Sequence, residues 1–172
     1  MTIRLKLSVL TSLILVLLVA AIGFYSVKSM HGRLIESIQI KLKSDLNMGT
    51  ILIERTYPGA WSIKNGELYK GDKKINENYE LVDLIGNLTN DTVTFFQGDK
   101  RVSTNVKTAE GQRAIGTRST EEVAKAVLNE GKTYIGMAQV VGMWNQTAYE
   151  PIKDEQGKII GMFYVGVPNN LY

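Results

Sequence analysis

The stretch TYIGMAQVVGMWNQTAYEPIKDEQGKIIGMFYVGV, residues 133–167, decides the fold. It divides into three runs rich in β-branched and aromatic residues: Thr133 to Val141, Trp144 to Ile152 and Ile159 to Val167. Runs of this length and composition, bounded by turn residues, read as strands. The last two are joined by a polar loop holding Asp154, Glu155 and Gly157. Every connection is hairpin-short, and parallel neighbours would need a crossover of about a dozen residues or more, so the strands pair antiparallel.

Upstream, Thr92 to Gln97 and Lys100 to Asn105 are joined by Gly98-Asp99 and read as a further hairpin. Together the five runs predict one antiparallel sheet. A smaller hairpin is predicted where Trp61 to Lys64 and Glu67 to Lys70 flank Asn65-Gly66, a dipeptide suited to the two positive-φ positions of a type I′ turn. A short helix is expected over Tyr79 to Gly86. Ser119, followed three residues later by Glu122, forms a capping box that opens a helix through Leu128, ending near Gly131. The polar segment Val106 to Arg118, with Gly111 and Gly116, is long for a connection inside a compact domain, and such connections are often binding loops.

Nearer the N-terminus, Leu34, Ile38, Leu42 and Leu46 recur four apart, and Gly49 and Ile53 continue the stripe. This is the helical period. It stops at Tyr57-Pro58-Gly59, where proline disfavours helix for the residue before it. The fold class is therefore α+β, with a long N-terminal helix (residues 28–57) packed on the five-stranded sheet of residues 58–168. One face of one sheet does not account for the whole stripe, which predicts a parallel homodimer through this helix.

From Leu7 to Val27 the chain carries no charge and is rich in Leu, Val, Ile and Ala. That length of helix covers the roughly 30 Å of a bilayer core. Unless Lys28 and Arg33 outweigh them, Arg4 and Lys6 place residues 1–6 in the cytoplasm by the positive-inside rule, with 7–27 as the span and the rest exported. A cleaved signal peptide is the competing reading, but the apolar run is longer than usual for one, and Ala20-Ala21 before Ile22 and Gly23 is a poor cleavage site. The location predicted is the inner membrane.

The 172 residues carry 20 basic and 17 acidic side chains, a net charge of +3 too small to point to nucleic acid. With no cysteine and only His31 as histidine, thiolate catalysis, a histidine triad and multi-histidine or cysteine metal sites are excluded. No cofactor motif is present, and the acidic residues fall at turns and on helix surfaces, so no enzymatic activity is expected.

In order along the chain, DTVTFFQGDKRVSTNV (91–106), GQRAIGT (111–117), Val127-Leu128, GKTYIGMA (131–138), YEPIKD (149–154) and GKIIGMFYVGV (157–167) resemble Cache sensory domains of bacterial chemotaxis receptors. The resemblance covers about residues 90–168. It implies a PAS-like sheet on a membrane-proximal helix, small-ligand sensing outside the cytoplasm and dimeric signalling by a methyl-accepting chemotaxis protein. Within the family the chain is similar to single-Cache sensors of the citrate and dicarboxylate kinases. Receptors of this type continue into a second membrane helix and a cytoplasmic output module. The chain ends at Tyr172, with residues 169–172 as the expected lead-in, which reads as a fragment or a stand-alone anchored Cache protein.

The resemblance also implies a site. In related sensors an arginine opens the second strand and a donor follows three positions on, which correspond to Arg101 and Thr104. Those sensors carry histidine where Thr104 stands and arginine where Thr147 stands, which argues for a smaller or less charged organic anion than citrate. Guanidinium suits a carboxylate because it offers two parallel hydrogen bonds. Arg113 and Arg118 lie along the expected pocket edge, and Tyr134, Trp144, Tyr149 and Tyr164 would close it, although sheet packing alone would place such rings equally well. A pilin-like subunit is the remote rival, but pilins carry a Gly-Phe and a Glu at the start of the apolar helix, whereas Gly23-Phe24 lies at its end.

Overall fold

The computed structural model describes residues 3–168, so the segment 169–172 lies outside the described residues. Helix α1 spans Ile3–Thr56. The chain divides into two compact units, Met1–Ser37 and Ile38–Tyr172. In the first, the side chains from Leu10 to Val27 are exposed, and this stretch has a window of mean hydropathy 2.4, long and apolar enough to cross a membrane.

The second unit holds the sheets. Strands β1 (Trp61–Lys64), β2 (Glu67–Lys70) and β3 (Lys73–Lys74) form a small antiparallel sheet. The Asn65-Gly66 turn has both residues at positive φ, as a two-residue hairpin requires. The third strand is an addition to the expected hairpin, since two lysines carry no strand pattern. Helix α2 runs Glu80–Thr89, against the expected Tyr79 to Gly86. Its positive-φ end falls on Asn90, so Gly86 sits inside the helix, where the Asn105 amide and the Asp91 carbonyl come too close for a Cβ.

The main sheet contains β4 (Thr92–Gln97), β5 (Lys100–Thr104), β6 (Tyr134–Val140), β7 (Met143–Lys153) and β8 (Ile159–Pro168), in the order β5-β4-β8-β7-β6 and antiparallel throughout. This is the five-stranded PAS-like sheet expected.

Alternation along the strands builds two cores. One face presents Val93, Phe95, Val102, Ala148, Phe163 and Val165, which cluster with Ile38, Leu42, Leu46 and Ile53 of α1. Phe95 and Phe163 stack at 5.2 Å, and a Cβ at Gly49 would lie 2.7 Å from Phe163 Cζ, so glycine lets α1 settle onto that ring. Burying one such aliphatic side chain contributes about 1.5–3 kcal/mol. The stripe is thus consumed within one chain from Ile38 to Ile53. Leu34 is exposed, and so are Ile40, Met48 and Ile51, which share a different face of α1.

The other face carries Phe96, Ala138, Val140, Tyr149, Met162 and Tyr164, clustered with Val106, Ala114, Val123 and Val127. Helix α3 (Glu121–Ala124) passes into a π turn, Lys125–Asn129. The cap is Thr120, whose hydroxyl accepts from the Val123 amide at 3.5 Å, and not Ser119. The adjacent hydroxyls made the two indistinguishable by spacing.

Candidate functional site

A bulge between Phe95 and Phe96 shapes the site. The register runs Thr94 to Thr104, Phe95 to Ser103, then Phe96 to Arg101. Residues three apart on a regular strand point to opposite faces, but the extra residue returns Arg101 and Thr104 to the same face. Both are buried on the side away from α1, Arg101 with only 2% of its surface exposed.

Arg101 is held by hydroxyls and rings. Its Nε donates to Thr94 Oγ1 at 3.3 Å, its Nη1 donates to Thr117 Oγ1, and the guanidinium lies 4.9 Å from the Phe96 ring centroid. Among the described residues no carboxylate stands within ion-pair distance of it. Burial pulls its pKa down, partly offset by the neighbouring Tyr164 and Tyr149. A buried cation without a counter-charge is costly.

The segment 106–118 closes over this cation. The Arg101 amide donates to the Thr117 carbonyl at 2.8 Å and the Gly116 amide to the Arg101 carbonyl at 2.9 Å, so the segment pairs along the free edge of β5. This pairing delivers the Thr117 hydroxyl to the guanidinium and buries Ala114.

The remaining expected residues fall in three groups. Tyr149 and Tyr164 are buried with ring centroids 4.8 Å apart, and burial raises both phenol pKa values. Tyr164 shares a hydrogen bond with Thr92 Oγ1 at 2.8 Å, and its hydroxyl occupies the space a Cβ at Gly166 would need. Thr104 and Thr147 line the same face with their hydroxyls committed: Thr104 to Thr94 Oγ1 at 2.6 Å and the Val93 carbonyl at 3.0 Å, and Thr147 to the Gly136 carbonyl at 2.7 Å. Tyr134 packs edge-on against Tyr149, but its hydroxyl turns back to the Met137 carbonyl at 2.8 Å.

Arg113, Arg118 and Trp144 are not brought to Arg101. Arg113 grips Asp83 with two bonds of 2.7 and 2.8 Å, donates to the Thr104 carbonyl and lies over Tyr79. Arg118 pairs with Asp99, and Trp144 is 52% exposed. Sequence reasoning missed Thr94, Thr117 and Asn145. Thr94 was findable by alternation, two residues before Phe96. Asn145, 2% exposed, reaches the Tyr164 hydroxyl at 3.5 Å through its Nδ2, and its Oδ1 has no partner among the described residues.

The chemistry available is therefore one buried positive charge, a ring of hydroxyls and an aromatic wall. Among the described residues no group of three or more His, Cys, Asp and Glu side chains is placed to hold a metal ion.

A family description, single cache domain 3, matches residues 73–172. Among solved structures, the DcuS sensor domain of E. coli is similar at 16% identity, over 77% of this chain and 94% of that one, with a TM-score of 0.42, too loose a likeness to carry a functional argument. No curated protein matches the chain. With more than half its length matched by that family, the chain belongs to the single cache domain 3 family.

Proposed function

We propose that the chain is the extracytoplasmic sensing part of a transmembrane receptor, of the methyl-accepting chemotaxis type, that binds a small organic anion on Arg101 and works by binding and not by catalysis. The observation that carries the ligand reading is the buried guanidinium with hydroxyl partners and no carboxylate. A ligand carboxylate supplies the missing charge and takes hydrogen bonds that water would otherwise make. With Arg113 committed to Asp83, Arg101 is, among the described residues of this face, the cation without a carboxylate partner, which favours a singly charged acid over a tricarboxylate.

Supporting the membrane reading is the exposed apolar stretch of α1, flanked at its start by basic residues. Dimerisation through α1 is part of the proposal, on the face of Ile40, Met48 and Ile51. A histidine-kinase output is the alternative to the chemotaxis one, and the coding frame beyond Tyr172 separates them.

The test is a thermal-shift screen of the chain in detergent against carboxylates, amino acids, amines and purines. Stabilisation by a small carboxylate, lost in Arg101→Ala, is expected. A cationic or neutral best ligand overturns the anion assignment.

A further inference from the structure

Two carboxyl groups outside the Arg101 site connect α1 to the sheet, and neither has a cation to itself. We infer that protons on Asp91 and Glu150 fasten α1 to the sheet, so that the domain responds to pH as well as to its ligand. Only the link to pH outside the cell rests on the sensor reading above.

Asp91 precedes β4 and its side chain is wholly buried. Its Oδ1 accepts from Lys41 Nζ of α1 at 2.6 Å, while its Oδ2 has no partner among the described residues. Lys41 is shared: it also contacts Asp45 at 2.5 Å and donates to the Thr89 carbonyl at 3.1 Å. One ammonium thus serves two carboxylates, and with both ionised the cluster holds a surplus negative charge, part of it on the wholly buried Asp91 while Lys41 reaches solvent. The other groups facing Asp91 are the Thr89 hydroxyl, which accepts from its amide, the Asn105 side-chain amide on its carbonyl, and the neutral Tyr164 phenol of β8. None of them removes the surplus.

Glu150 of β7 meets Thr50 of α1, whose hydroxyl also lies 3.0 Å from the Leu46 carbonyl. A carbonyl only accepts, and one hydroxyl has one hydrogen. The Thr50 hydroxyl donates to Glu150, so an ionised Glu150 has only a share of one hydrogen and no cation, a poorly compensated charge that a proton on Glu150 removes. Around it stand Glu54, paired with Lys70 at 2.7 Å, and Lys153, which is not within ion-pair distance among the described residues. Burial raises the pKa of Glu150 against the hydrogen bond from Thr50, and burial with the charge of Asp45 raises Asp91 to about 7 against the pull of Lys41.

These folded values lie above those of an unfolded carboxylate. The stabilisation is therefore fully present at acid pH and is lost as pH rises from the ordinary carboxylate range towards about 7. This is the reverse of ordinary acid destabilisation.

The test is thermal unfolding of the full chain in nanodiscs, without ligand and with Arg101 intact, from about pH 5 to about pH 8. Failure here is then separate from failure of the anion reading. The melting temperature should fall as pH rises, Asp91→Asn should flatten the profile approaching about 7, and Glu150→Gln should lessen the overall fall. Asp45→Asn should move the midpoint to lower pH by freeing Lys41 for Asp91. An unchanged profile in Asp91→Asn and Asp45→Asn, or a melting temperature that rises with pH in the wild type, overturns the inference. If Asp91→Asn does not fold, the carboxyl carbon shift of Asp91 in the wild type decides: titration near 7 supports the inference, and titration below about 5 overturns it.

Discussion

Replacing Arg101 by methionine separates a ligand-binding role from a structural one. The side chain is 98% buried and has no counter-charge, so the ligand-free domain bears a desolvation cost of several kcal/mol for holding the cation in place. Methionine fills similar space without it. The losses are the hydrogen bonds to Thr94 and Thr117 and the contact with the Phe96 face, each worth about 1 kcal/mol. The balance favours the variant by about 1–2 kcal/mol, or a rise of about 3–6 °C in melting temperature for a domain of this size. The same substitution should weaken anion binding by well over tenfold, since removing one partner of a buried charge pair costs about 2–5 kcal/mol. Thermal and urea unfolding of the ligand-free protein read the first effect, and calorimetry reads the second. A melting temperature lowered by more than about 5 °C would show that Arg101 holds the apo fold together, and the argument from an unpaired charge would fail.

Arg113→Ala should leave anion affinity within about threefold and cost about 1 kcal/mol of stability, because the partly exposed Asp83 pair is what it breaks; calorimetry and urea unfolding check both. Gly49→Ala should destabilise by about 1–2 kcal/mol despite the helix-propensity gain, since the new methyl group meets the Phe163 ring at 2.7 Å; a stabilised variant in urea unfolding would contradict the packing of α1 on the sheet. Disulfide cross-linking of cysteines placed along α1 should peak at positions 40, 48 and 51 and be low at 42 and 46, and a flat profile would argue against the dimer face.

The parts of the fold legible in sequence were those set by local period. Alternation and short turns give the five strands, and the stripe from Ile38 to Ile53 gives the packed half of α1. What escaped depends on contacts that local pattern does not encode. The two lysines of β3 pair only because β2 is already in place, and Thr120 takes the cap from Ser119 by a difference of one residue. In the candidate site, family resemblance pointed to Arg101 and Thr104 together, and the bulge is what puts the two on one buried face. That Arg113 and Trp144 lie apart from Arg101 was not legible, since arginines and rings at a strand edge look alike until a partner such as Asp83 is seen. Thr117 was hidden for a related reason: its hydroxyl reaches Arg101 through the pairing of a loop with β5, a long-range contact.

The most direct measurement is a crystal structure of the domain with the best carboxylate from the screen. The account predicts the ligand carboxylate within hydrogen-bond distance of the Arg101 guanidinium, between the sheet face of Tyr149 and Tyr164 and the segment 106–118. A ligand lodged instead in the groove lined by Trp61, Lys64, Asp154 and Lys158, with the surroundings of Arg101 unchanged, would contradict it.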